Sequence, residues 1–89
     1  MSWNVTFTSK AARQAQKLPP KQRDLLALLV AEMQLGGPVQ QSWPNYSKLG
    51  AGLYHSHLSH KLVACWRLED KELKLITVYY AGSRENAPY

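Results

Sequence analysis

Cysteine is nearly absent from this chain. Cys65 is the single one in 89 residues, so no intrachain disulfide framework exists and a reducing compartment is the expected home. Set between alanine and tryptophan, it reads as a small core or strand residue and not as a nucleophile. Long apolar runs are missing too. The longest, "LLALLVA" from Leu25 to Ala31, falls far short of the ~20 residues that a membrane span requires. The opening "MSWNVTFTSK" holds no apolar signal-peptide stretch, so the expected setting is cytoplasmic, with no membrane partner. Acidic residues are few: six Asp and Glu stand against eleven Lys and Arg, a formal charge of +5. Such a balance suits a polyanionic partner, nucleic acid above all, or an acidic protein, although a charge of this size also serves solubility alone. Internal repeats and low-complexity tracts are absent as well. At this length, residues 1–89 make one domain with a single core.

What is present reads as alternating β and α signals. "WNVTF", Trp3 to Phe7, alternates apolar and polar residues and predicts a first strand. Thr8 or Ser9 then offers a capping hydroxyl to a helix of about ten residues, with Ala11, Ala15 and Leu18 on a narrow, small-residue face. "LPP" stops it, and Pro20 suits the first turn of the next helix. That second helix, about Lys21 to Leu35, carries an apolar stripe of Leu25, Leu28, Leu29 and Met33, widened by Leu26 and Val30. Gly36, Gly37 and Pro38 end it. "VQQSWPNYSKLGAG" has no clear period and reads as a connection, with Trp43 as its anchor to the core. Three strand-like runs follow: Leu53 to Leu58, Lys61 to Leu68, and Leu73 to Ala81. "SH" and "EDKE" between them are short enough for hairpin turns, so these strands should be antiparallel neighbours. The order β-α-α-β-β-β predicts an α+β domain, with a helical hairpin on one face of a small, mostly antiparallel sheet and the other face open.

All three histidines fall within "YHSHLSHK", Tyr54 to Lys61. Side chains at i and i+2 of a strand share a face, so His55 and His57 project together, with Leu53. Leu62, Ala64, Trp66 and Leu68 of the next strand are bulky and face the helices, which places Lys61, Val63 and Cys65 on the open side. Two imidazoles and an ammonium thus meet on one exposed surface. Gly82 lets the chain turn after the last strand, delivering Arg84 and Tyr89 to the rim of that face. Zinc would use His-x-His but lacks a third ligand, since His60 sits in the turn, off the shared face, and the carboxylates lie a strand away. A solvated strand without function is the plain alternative. Acid–base chemistry on a phosphodiester explains more: histidine titrates near neutrality, while Lys and Arg stabilise developing negative charge.

Taken together, the order of elements, the short basic chain, "KLG…YHSHL", "HKLVACW" and "VYYAGSRENAPY" resemble the RelE/ParE superfamily of toxin–antitoxin toxins, from Trp3 to Tyr89. The likeness is greatest to the RelE and HigB type, which are ribosome-dependent mRNA endonucleases. ParE-type relatives share the fold but poison DNA gyrase without catalysis, which is the alternative function. By this resemblance His55 and His57 match the alternating basic pair of the strand, and Lys61 the basic residue opening the next, where arginine is more usual. Arg84 matches the catalytic arginine after the last strand and Tyr89 the aromatic near the carboxyl terminus. The implied reaction is attack of a ribose 2′-OH on its own 3′ phosphodiester, giving a cyclic phosphate and a free 5′-OH, with no metal and no cofactor. His55, His57 and Tyr89 would share the proton transfers, in an order that the sequence leaves open. Lys61 and Arg84 would stabilise the phosphorane. The implied partners are mRNA, the ribosome and a cognate antitoxin.

Overall fold

A hydroxyl sets the first corner of the chain. In the computed structural model, which describes residues 2–89, the first strand β1 spans Asn4–Phe7. Thr8 then stays extended, and its Oγ1 accepts the backbone N–H of Ala11 at 3.0 Å. That bond satisfies one of the free donors that open helix α1, Ser9–Gln16. The helix has eight residues and not about ten, because Lys17 already occupies its cap ahead of the two prolines. Helix α2, Pro20–Gly36, starts on the second proline, where the missing N–H has no partner to lose. It ends at Gly37, whose φ of 89° lies in the left-handed region. A Cβ there would come within 2.9 Å of the Trp3 indole, so both the backbone and the neighbour demand glycine.

The buried stripe of α2 is Leu26, Leu29 and Met33, flanked by the partly buried Leu25 and Val30. Leu28, expected within it, is instead half exposed at 50%. Successive residues rotate by about 100°, which puts Leu28 on the opposite side of the helix from Leu26.

Four strands follow from the remaining chain, one more than expected. β2 covers Ser47–Gly50, β3 Leu53–His57, β4 Leu62–Asp70 and β5 Leu75–Ser83. The sheet order is β1-β5-β4-β3-β2. β1 runs parallel to β5 and every other pair is antiparallel. The α+β class and the mostly antiparallel sheet therefore stand. β2 lay hidden in the connecting stretch because "SKLG" has no alternating apolar face, and its pairing shifts register between Lys48 and Gly50. Trp43 does anchor that stretch, packing on the core and donating its indole N–H to Glu32 Oε1 at 3.0 Å.

The helix side of the sheet buries Tyr54, Ala64, Trp66, Ile76, Val78 and Ala81 against the two helices. Trp66 is fully buried, and its indole N–H finds the Pro38 carbonyl at 2.9 Å. The other side, expected to be open, is covered. Val63, Cys65 and Tyr80 form a second buried cluster there, with Tyr79 and Ala87 packed against it. A register shift opposite Cys65 and Trp66 pairs Cys65 with Tyr80 but Trp66 with Val78. Tyr79 is the extra residue, so two consecutive tyrosines serve one face. No helix among the described residues is long and apolar enough to cross a membrane.

The two sides of α2 and the central strand give a paired test. Trp66→Ala removes a fully buried indole and orphans the Pro38 carbonyl, and should cost about 3–5 kcal/mol in urea denaturation. Leu28→Ala should stay within about 0.5 kcal/mol of the parent.

Candidate functional site

The pleat of β3 directs His55 and His57 away from the helices, as the spacing predicts. Their rings lie 5.7 Å apart between centroids, inclined by 62°. They are not exposed. Each retains only 8% of its accessible surface, because neighbouring strands and the carboxyl-terminal segment close over them. The Tyr89 ring lies 4.6 Å from that of His55, inclined by 48°. On the other side, His55 Nδ1 is hydrogen-bonded to Ser47 Oγ at 2.9 Å, and His57 Nδ1 to Asn45 Nδ2 at 3.2 Å.

The turn that returns Tyr89 is built locally. The Tyr80 hydroxyl donates to the Ser83 carbonyl at 2.6 Å, and Ser83 Oγ accepts the N–H of Glu85 at 3.1 Å. This caps a single 3-10 turn, Arg84–Asn86. The Arg84 N–H donates to the Lys61 carbonyl at 2.8 Å, tying the turn to the β3–β4 corner. Lys61 itself stands in that corner and is exposed. It does not open β4 on the face of the imidazoles, because the connection runs over four residues, Leu58 to Lys61, in place of "SH". Ser59 Oγ holds the corner by accepting from Lys61 N and Leu62 N. Lys61 and Arg84 instead line one depression of about 370 Å³ with His60, Leu62, Ser83 and Glu85.

His60 lies nearer the pair than its place in the turn implies. It shares a second depression, of about 270 Å³, with His57, Pro44, Asn45, Leu58 and Ser59. The two hollows meet at His60. His55, His57 and Tyr89 are therefore in one cluster, with Arg84 beside it and Lys61 on its outer margin. Asn45, Ser47 and His60 are the residues that sequence reasoning passed over. One signal was available: Asn45 and Ser47 are two apart, as are His55 and His57, on segments that pair as a hairpin.

Electrostatics set the protonation states. Burial holds His57 below the usual imidazole value, and the positive charges of Arg84 and His60 push the same way, while the Ser59 carbonyl opposes. Burial also lowers His55, helped by His57 and opposed by a backbone carbonyl at Ser47. Burial raises the Tyr89 phenol, Cys65 adds to this, and Arg84 works against it. At neutral pH the site thus holds neutral imidazoles and a protonated phenol. Cys65 is fully buried and pushed up to about 12 by desolvation, so its thiol is inert. Among the described residues no group of three or more His, Cys, Asp or Glu side chains is arranged to hold a metal ion.

No protein-family model matches the chain, and no curated protein sequence does. Solved structures do match along nearly its whole length. The archaeal RelE of a RelE–RelB complex from Pyrococcus horikoshii OT3 superposes with a TM-score of 0.81 at 20% identity, covering 98% of this chain and 100% of that one. The fold is that of the RelE/ParE toxins. YoeB from a Staphylococcus aureus dimer matches at 0.75 and 16% identity, over 94% of this chain and 99% of its own. A YoeB/ParE toxin from Agrobacterium tumefaciens reaches 0.75 at 9% identity, over 91% and 98%. In this RelE-like frame the histidine pair sits on the third strand, beneath the carboxyl-terminal turn.

The depressed imidazoles predict a pH effect on stability. Unfolded histidine titrates near 6.5, above both folded values, so the unfolded chain binds more protons in acid. Stability from this source is complete above about pH 6.5 and is lost as pH falls through the folded values. Thermal melting from pH 8 to pH 5 should show this decline, and a His55→Asn/His57→Asn double variant should show a shallower one. Parallel pH profiles would remove the histidines as its cause.

Proposed function

We propose that this chain is the toxin of a toxin–antitoxin pair, a metal-independent endoribonuclease that cleaves mRNA on the ribosome in the cytoplasm. The observation that carries the reading is the cluster itself: two neutral imidazoles and a protonated phenol within ring contact, beside an arginine. A surface that only binds another protein need not gather proton carriers around a buried imidazole pair.

The protonation states suggest the order of events. A neutral imidazole takes the proton of the ribose 2′-OH as O2′ attacks phosphorus. Arg84, with Lys61 on the margin, stabilises the charge that builds on the phosphorane oxygens. The bond from phosphorus to O5′ breaks, and the leaving oxygen takes the phenolic proton of Tyr89. The imidazolium of His55, whose ring contacts that of Tyr89, returns a proton to the phenolate. The products are a 2′,3′-cyclic phosphate and a 5′-OH, and both catalytic groups end as they began.

The burial of the pair decides which variants test this. Alanine would orphan Asn45 or Ser47 and cost about 1–3 kcal/mol in stability, so asparagine, which keeps a polar atom near Nδ1, is the cleaner substitution. His55→Asn should lower mRNA cleavage in a translating extract by about 10²–10⁴-fold. Arg84→Ala, at an exposed position, should lower it by about 10²–10³-fold without changing the melting temperature. Cleavage at the parental rate in both variants would sink the assignment. Arrested growth without any cleavage by the parent would favour gyrase as the target.

A basic toxin of this kind requires a cognate antitoxin, an acidic protein with a flexible segment that folds on this surface. RelE–RelB and YoeB–YefM complexes with this fold support such a partner. Purification from the native host should yield the chain with an acidic companion. Recovery of the chain alone, harmless to its host, would count against the pairing.

A further inference from the structure

The three residues Asn45 to Ser47 hold both imidazoles by Nδ1, and they treat them differently. Asn45 takes φ 53°, a left-handed conformation that asparagine tolerates better than most residues. The corner it makes is tied to His57 twice. The Pro44 carbonyl accepts the His57 backbone N–H at 2.9 Å, and Asn45 Nδ2 meets the ring at Nδ1. An amide nitrogen is a donor only. His57 Nδ1 must therefore accept, which places the proton of the neutral ring on Nε2. With one nitrogen engaged and the other protonated, His57 has no lone pair with which to take a proton.

His55 is under no such restriction. The Ser47 hydroxyl both donates and accepts, and a backbone carbonyl at Ser47 also favours a proton on this ring. When Ser47 accepts from Nδ1–H, the Nε2 of His55 keeps its lone pair.

We propose that Asn45 is a positioning residue that locks His57 as the Nε2–H tautomer, so that His55 is the base and His57 a neutral hydrogen-bond donor to the phosphate. The role at phosphate rests on the ribonuclease reading; the tautomer does not. The surroundings agree. His57 faces His55 from its own strand, His60 from the next turn and Arg84 from the carboxyl-terminal turn. Its partner across β4 is Val63, which is uncharged. Each titratable neighbour is a potential cation, and the one group that opposes them, the Ser59 carbonyl, is an acceptor that a neutral ring N–H satisfies as well. A neutral imidazole N–H aimed at developing negative charge still stabilises it, with no proton transfer needed.

The test replaces a donor by an acceptor. In Asn45→Asp the carboxylate accepts only, and demands a proton on Nδ1 of His57. Long-range proton–nitrogen NMR of the nitrogen-15-labelled chain at pH 8 reads both tautomers without any turnover. The parent should show His57 Nδ1 unprotonated and Nε2 protonated. Asn45→Asp should reverse the two and lower mRNA cleavage by about 10²-fold. Should the aspartate variant fail to fold, Asn45→Ala should give a mixture of both tautomers and an intermediate rate. A proton on His57 Nδ1 in the parent would overturn the proposal, as would reversed tautomers with undiminished cleavage. A parent with the expected tautomers that cleaves no RNA would remove the role at phosphate and leave the tautomer assignment standing, so the two failures are distinguishable.

Discussion

The central strand β4 has to bury both of its faces, and the rest of the molecule follows from that requirement. Trp66 goes to the helices, and its indole N–H needs an acceptor, which the Pro38 carbonyl provides at the end of α2. That bond ties the end of the helical hairpin, closed at Gly37, to the central strand just where the chain sets out for β2. The next residue back, Cys65, points the other way with no helix to cover it. Tyr79 and Tyr80, brought to one face by the register shift, and Ala87 from the carboxyl-terminal segment supply the cover. The segment that carries Arg84 and Tyr89 thus lies over the second face because Val63 and Cys65 need a lid there. The site owes its enclosure to the core.

This explains which parts were legible in the sequence. Strand and helix types followed from periodicity in "WNVTF", in the leucines of α2 and in the long runs of β4 and β5, where burial on a fixed face leaves a pattern. The pairing of His55 with His57 was legible for the same reason, since the pleat alone dictates it. β2 was not, because a short edge strand with serine, lysine and glycine has no buried face to encode. The burial of the imidazoles was missed as a consequence. Without β2 and a folded-back terminus, a polar pair on the far side of the sheet reads as solvated. Leu28 is the converse case, an apolar residue whose place on the helix, not its type, decides that it faces water.

Lys61 and His60 exchanged positions relative to expectation for a geometric reason. Cross-strand partners share a face, and His57 pairs with Val63, so a strand continued back to residue 61 would have carried Lys61 onto the face of the pair. β4 begins only at Leu62, which leaves Lys61 in the corner. Lys61 then turns outward toward Arg84, and His60 falls next to His57. The cationic groups consequently ring the imidazoles without joining them.

That arrangement has an electrostatic logic. Cations placed against a buried imidazole lower its proton affinity, and desolvation acts in the same direction. Arginine in the same positions would stay charged, and lysine starts from a far higher proton affinity than imidazole. Histidine in the same two positions is held toward the neutral form, which in the proposed reaction leaves the attraction of phosphate to Arg84 and Lys61 and the base role to His55. Two adjacent imidazoles with identical surroundings would compete for one role. The side chains that β2 and its approach bring to Nδ1, a hydroxyl for one ring and an amide for the other, break that symmetry. The least legible strand in the sequence is therefore the one that differentiates the two most conspicuous residues.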